Sequence, residues 1–176
     1  MATTVTSSPS KAERERAEGL YFVVHPSFFE RGANGMYGPD ASVTPYSGSY
    51  MPDEVPRQCC QRMHYAAWRL SREKVAAKRA EWKQHYLSMR DLVVLGNRKL
   101  VFRAVRGWLS HGTDSDDLTG ECQIVMIRSV AAFNPWLGIR FSTYAYTCLM
   151  RALSRMSQKT KSDRMSKAVA LDQFME

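Results

Sequence analysis

The chain has 176 residues, 44% of them hydrophobic, and its 25 Lys and Arg against 17 Asp and Glu leave a net charge of +8. That composition suffices for one ordinary core with flanks, and the cationic excess favours polyanionic partners, since each cation that neutralises a phosphate releases condensed counterions. Apolar runs such as Leu92 to Leu95 are short, and the N-terminal MATTVTSSPSKAERERAEG has no apolar stretch, so neither a membrane span nor a secretory signal is expected.

Residues 1 to about 19 are Ser/Thr-rich and then charged, a composition that predicts disorder. An aromatic-aliphatic island follows at residues 20–29, running from Leu20 to Phe29. It is too short to form a core alone, and it reads as an extended piece that docks on its own domain or on a partner. Gly32, Gly35, Gly38, Pro39, Pro45 and Gly48 then mark a linker with little regular structure. Residues 1–56 are therefore read as a flexible N-terminal segment carrying a docking island.

From Pro56 the chain turns rich in Arg, Lys, Ala, Leu and Met, which favour helix. Met63, Ala66, Ala67 and Leu70, then Trp82, Tyr86 and Met89, recur at helical steps and predict a helix over about 57–88. A second helix is expected over about 91–109, with Leu92, Leu95, Val101, Val105 and Trp108 inward and Gly96 weakening its continuity. After a break at His111 to Ser115, Asp114 or Ser115 caps a third helix to about Phe133. Its early acids suit the positive helix end, and Leu118, Val125, Ile127, Val130 and Phe133 are assigned inward. Asn134 to Gly138 is a turn, and a last helix runs from near Phe141 to about 157, with the polar and then mildly apolar stretch from Ser157 to Glu176 read as a ragged helical end. The expected fold is all-α: a bundle of about four helices over 57–160, with an irregular N-terminal third and a basic linker at 161–176.

Candidate chemistry is sparse. His25, His64, His85 and His111 lack partners at catalytic or metal spacing, and no Walker loop, paired-carboxylate motif or nucleophile elbow occurs. Cys59, Cys60, Cys122 and Cys148 fit neither a disulfide framework nor a zinc site, so a reduced cytoplasmic setting is expected. No catalytic residue, metal or cofactor is assigned, and an enzyme is not expected.

Four pieces in order stand above a generic basic helical chain: Asn97-Arg98-Lys99-Leu100-Val101, Asp117-Leu118-Thr119-Gly120-Glu121, Ala131-Ala132-Phe133-Asn134-Pro135, and Gly138-Ile139-Arg140-Phe141-Ser142-Thr143-Tyr144-Ala145. Over about residues 90–160 they resemble region 2 of the bacterial sigma-70 transcription initiation factors. The resemblance implies a subunit that binds core RNA polymerase at the clamp helices of its largest subunit, and that recognises and melts the minus-ten promoter element. Phe141 and Tyr144 match the aromatic positions that take a flipped base of the non-template strand. Aromatic faces restore about 1–3 kcal/mol of stacking per base.

By the same resemblance Ser142 and Thr143 hydrogen-bond that base or nearby backbone, and Arg140 meets phosphate. Asn97 and Leu100 match positions beside a second captured base, with Arg98, Lys99 and Arg103 as phosphate contacts. Thr147, Arg151 and Arg155 continue the candidate DNA surface along the last helix. Asp114, Asp116, Asp117 and Glu121, with Leu118 beside them, form the candidate polymerase-docking face. In the family the acids matching Asp117 and Glu121 pair with clamp-helix arginines. An anti-sigma protein is a further partner of the kind the family has, and no membrane partner is implied.

The departures are local. Housekeeping members carry a Trp-Trp pair where this chain has Thr147 and Cys148, and Gly120 stands where Gln is typical. Ala168 to Gln173 resemble the linker where region 3 begins in longer members, and no region 4 is expected in this sequence. Two other readings stay open: a polymerase-binding adapter or decoy that keeps the docking face without melting, and a generic basic helical nucleic-acid-binding module. Read without the motif, Phe141 and Tyr144 are core aromatics at helical spacing, and the acidic cluster is a helix start. The basic run from Arg62 to Lys83 would likewise be a solvated face, whereas the resemblance makes it suited to duplex or discriminator DNA.

Overall fold

The computed structural model describes residues 14–17, 19–43, 51–108 and 115–173. The N-terminal residues 1–13, the Pro45 and Gly48 part of the linker, and the break from His111 to Asp114 lie outside them. Among the described residues the fold is all-α, as expected, with one small hairpin added: β1 (Arg14–Ala17), β2 (Leu20–Val23), a 3-10 turn (Pro26–Phe29), then α1 (Ala33–Tyr37), α2 (Glu54–Arg72), α3 (Ala76–Gly96), α4 (Arg98–Arg106), α5 (Ser115–Ala132) and α6 (Phe141–Gln173).

Helix α2 is the centre. Val55, Cys59, Cys60, Met63, Tyr65, Ala66, Ala67 and Leu70 are all buried, so the helix is covered on most of its circumference, as a core helix must be. The helix expected over 57–88 is in fact two. The Glu73 carboxylate accepts hydrogen bonds from the amides of Lys74 and Val75 at 3.0 Å each, a local alternative to helical pairing that turns the chain. Arg79 then donates to the carbonyls of Leu70 (3.0 Å) and Glu73 (2.9 Å), satisfying the exposed end of α2. Helix α3 folds back along α2.

This packing redirects much of the basic run. Arg62 is buried and donates to the Gly38 carbonyl at 2.9 Å. Arg69 stands 4.9 Å from the Trp82 ring centroid and Arg72 4.9 Å from that of Trp68. These arginines bind their own domain, while Lys74, Lys78 and Lys83 are exposed.

The aromatic island docks on its own domain. Phe28 meets Tyr37, Tyr65, Trp68 and Trp136 at ring-centroid distances between 5.3 and 5.7 Å. Burying such a ring contributes about 1.5–3 kcal/mol, which explains how a glycine-rich stretch is held. Phe22 and Val23 of β2 are buried, and β1 pairs antiparallel with β2 in a register that sets Ala17 opposite Leu20. Gly19 lies between them with φ +77°, a conformation glycine adopts without penalty. The strand at Arg14–Ala17 thus replaces the disorder expected there, because β2 presents an edge that its charged neighbour can pair. His64, fully buried in α2, ties these parts together: its Nδ1 accepts from the Val23 amide (3.3 Å) and its Nε2 donates to the Phe133 carbonyl (2.7 Å).

Three further boundaries differ from expectation. The second helix breaks at Asn97, between α3 and α4, so Leu95 ends up 65% exposed rather than inward. In α5 the buried stripe is Cys122, Met126, Ser129 and Val130, which turns Ile127 outward, a correction to its inward assignment. Helix α6 runs to Gln173, so the stretch past 157 continues the same helix, and it buries Phe141, Ala145, Leu149, Ala152 and Leu153 along one stripe.

Candidate nucleic-acid and protein interfaces

The head of α6 is set by a glycine turn. Asn134 accepts the Trp136 amide through Oδ1 at 3.0 Å, and Gly138 has φ +72° before the helix begins at Phe141. Phe141 is only 2% exposed and packs edge-on against Phe133 at 5.3 Å. The ring that the resemblance matches to a base platform is therefore packed in the core, as its helical spacing read without the motif has it. Helical geometry explains it: Phe141 begins the stripe continued by Ala145 and Leu149. Tyr144 is half-buried, with its ring centroid 5.5 Å from that of Phe133. Of the two candidate rings, Tyr144 is the one that reaches solvent.

A notch of about 80 Å³ joins residues far apart in the chain: Met51, Asp53 and Pro56 at the start of α2, Gly96, Asn97, Lys99 and Leu100 at the α3–α4 break, and Ser142 on α6. Asn97 is almost buried. Its Nδ2 donates to the Val93 carbonyl at 2.8 Å and lies 3.4 Å from the Met51 sulfur, so Oδ1 is its remaining polar atom. Arg140 is exposed and pairs through Nε with the Asp53 carboxylate at 3.2 Å, which fixes a cation beside the notch. Asp53 and Met51 escaped the sequence reading because they precede the resemblance by some forty positions, and only the fold brings them back.

Arg98, Lys99 and Arg103 on α4 are exposed, as are Thr143, Thr147, Arg151 and Arg155 along α6. The Thr147 hydroxyl donates to the Thr143 carbonyl at 2.9 Å and so serves its own helix. No Asp or Glu occurs between residues 92 and 113 or between 122 and 162, so the stretches that hold α4 and most of α6 are without carboxylates.

The acidic candidates lie on α5. Asp116, Asp117 and Glu121 are exposed and Leu118 is half-buried against the core, while Asp114 lies outside the described residues. Ile124 (44% exposed) and Ile127 (39%) follow Glu121 along the same face at successive steps of three. Acids followed by exposed branched apolar residues make a face suited to burial against another macromolecule. Gly120 sits on it with open space where a Cβ would be. A Gly120→Ala change is expected to raise stability by about 1 kcal/mol, read as a higher thermal midpoint. An unchanged midpoint would mean that this turn of α5 is not helical in solution.

No three His, Cys, Asp or Glu among the described residues are grouped to hold a metal ion, and no helix among them is long and apolar enough to cross a membrane. Among the described residues, exposed cations thus stand on α4 and α6, and exposed acids stand beside exposed isoleucines on α5. Residues 93–162 match the family model described as Sigma-70 region 2. The chain is 30% identical over 80 residues to the RNA polymerase sigma-F factors of Bacillus subtilis and Bacillus licheniformis, a match covering 46% of this chain and 31% of each relative. It is 28% identical over 83 residues to the chloroplastic RNA polymerase sigma factor sigF of Arabidopsis thaliana, covering 47% of this chain and 15% of that one. The matched part is thus less than a third of those proteins' length. No solved structure matches the chain.

Proposed function

We propose that this chain acts as a sigma-type transcription initiation factor: it binds core RNA polymerase through α5 and captures unpaired non-template bases of the minus-ten element along α4 and the head of α6. The observation that carries this reading is the notch, where Asn97 and Leu100 meet Ser142. Those residues come from two of the four family-like motifs and lie more than forty positions apart, yet they line one recess with Lys99 and the Arg140–Asp53 pair at its rim. The recess accepts the edge of a base rather than enclosing one. Tyr144 offers the stacking face, and the α4 cations face the phosphates. The clamp helices of the polymerase's largest subunit, the non-template strand and an anti-sigma protein are the partners this reading names. The cytoplasm, or an equivalent compartment holding the polymerase, is its setting.

A second reading draws on Thr147 and Cys148. With no aromatic ring at either position, the chain has less surface to wedge at the fork of a melting duplex, which suits an adapter that docks on polymerase without opening promoters. One experiment separates the two. The full chain is reconstituted with core polymerase on a promoter template, and permanganate reactivity of the bubble is followed. Tyr144→Ala is expected to lower open-complex formation roughly tenfold, from the loss of about one stacked base, while core binding persists. Parent protein that binds core but never yields reactive thymines would favour the adapter.

A further inference from the structure

An open hollow of about 600 Å³ lies beside α4, apart from the notch except for a shared Lys99, and is lined by Lys99, Phe102, Arg103, Arg106 and Gly107. None of its residues beyond Lys99 and Arg103 belongs to the set matched to the family. Phe102 is 49% exposed, unusual for a ring on a helix whose apolar stripe (Val101, Ala104, Val105) is already buried. The Arg103 guanidinium stands 5.8 Å from the ring centroid of Tyr146, which is itself 36% exposed on the neighbouring α6. That distance lies within the range at which a cation is attracted to an aromatic face. Lys99, Arg103 and Arg106 have no ion pair among the described residues, and the stretches that contribute α4 and this part of α6 hold no carboxylate.

We propose that this hollow is a second nucleic-acid contact, which holds a single strand by its phosphates on Lys99, Arg103 and Arg106 while a base stacks on Phe102 or Tyr146. Cations interleaved with exposed rings are the combination that binds single strands, because every unpaired base has a free π-face and a paired one has none. The charge complementarity selects a polyanion, and the two rings select an unpaired one. An acidic polypeptide would satisfy the cations and leave the rings in water. Arg103 has two roles: it orients the Tyr146 ring and meets phosphate. The inference rests on the promoter-binding reading only for which strand occupies the hollow. Tyr146 stands one residue before Thr147 and Cys148, so it supplies aromatic surface close to where those two positions have none.

The test measures fluorescence anisotropy of a labelled single-stranded DNA oligonucleotide titrated with the full chain, with duplex DNA and polyglutamate as competitors. The Phe102→Ala/Tyr146→Ala double variant is expected to bind roughly tenfold more weakly, and Tyr146→Phe to bind like the parent, since stacking needs the ring and not the hydroxyl. Arg103→Ala with Arg106→Ala should reduce the salt slope by roughly 1.4, from two lost phosphate contacts on a single strand. Circular dichroism melts verify that each variant is folded. If the double aromatic variant binds like the parent while Leu100→Ala in the notch loses affinity, the hollow is not a contact and the promoter reading stands. Parent chain that ignores the oligonucleotide, or releases it equally to polyglutamate, overturns both.

Discussion

Between pH 6.5 and pH 4 the protein is expected to lose on the order of 3 kcal/mol of folding stability through His64 alone. The side chain is fully buried, and its two hydrogen bonds define its state: Nδ1 accepts the Val23 amide, so it carries no proton, and Nε2–H donates to the Phe133 carbonyl. Burial, which penalises the charged ring, is the main cause that lowers its pKa to about 4, and the bond to Phe133 opposes it. The unfolded chain therefore takes up the proton first as pH falls. The stabilisation is fully present above about 6.5 and is lost progressively down to about 4. His85 and His25 are lowered as well, in both cases mainly by burial, and push in the same direction.

Urea unfolding followed by tryptophan fluorescence at neutral and acid pH measures this loss, and a midpoint indifferent to pH would refute it. A His64→Leu variant should be weaker at neutral pH, because the Val23 amide and the Phe133 carbonyl lose their partner at about 1–3 kcal/mol each, yet should show a flatter pH profile. The consequence reaches the candidate site. Phe133 supports both Phe141 and Tyr144, so a charged His64 would loosen the seat of the ring proposed to stack a base.

How much of this was legible in the sequence depends on which force decides each residue. Helical composition and apolar steps sufficed for the all-α fold, since α3, α5 and α6 each bury a stripe at helical spacing and α2 is buried on most of its circumference. Composition did not reveal what turns the chain at Glu73, because the cause is one carboxylate choosing two backbone amides over solvent. Nor did it separate Phe141 from Tyr144: both are aromatic, three apart, and only the start of the buried stripe decides that the first is sealed. Ile127 shows the converse, since an apolar residue on an exposed face reads as core in any pattern. Arg62 was misread for the same reason in reverse: its charge suggested a surface, whereas the fold buries it against the Gly38 carbonyl. The notch was half legible. Asn97, Leu100 and Ser142 lay in the motifs, but Met51 and Asp53 reach it only through the packing of α2 against the α3–α4 break.

Reversing both acids of the α5 face, Asp117→Arg with Glu121→Arg, should lower affinity for core polymerase by at least thirtyfold, on the order of 2–5 kcal/mol. The two residues are exposed and one helical turn apart, so they act on a partner together. Their loss would remove only rim attraction, which mainly sets the association rate. Their reversal adds like-charge contact with the clamp-helix arginines that the family resemblance implies, and that penalty falls on the bound state. Folding should suffer far less, because a cation in the first turn of α5 opposes the helix dipole by only about 0.3–1 kcal/mol. Thermal melting and co-purification with core polymerase therefore diverge: the melt changes little and the complex disappears. A double variant that still co-elutes with core would move the docking surface away from Asp117 and Glu121. Loss of both readouts together would show that these acids hold α5 itself. Ile124→Ala, on the same face but without charge, should weaken the complex mainly through faster dissociation, since what it removes is buried contact rather than steering.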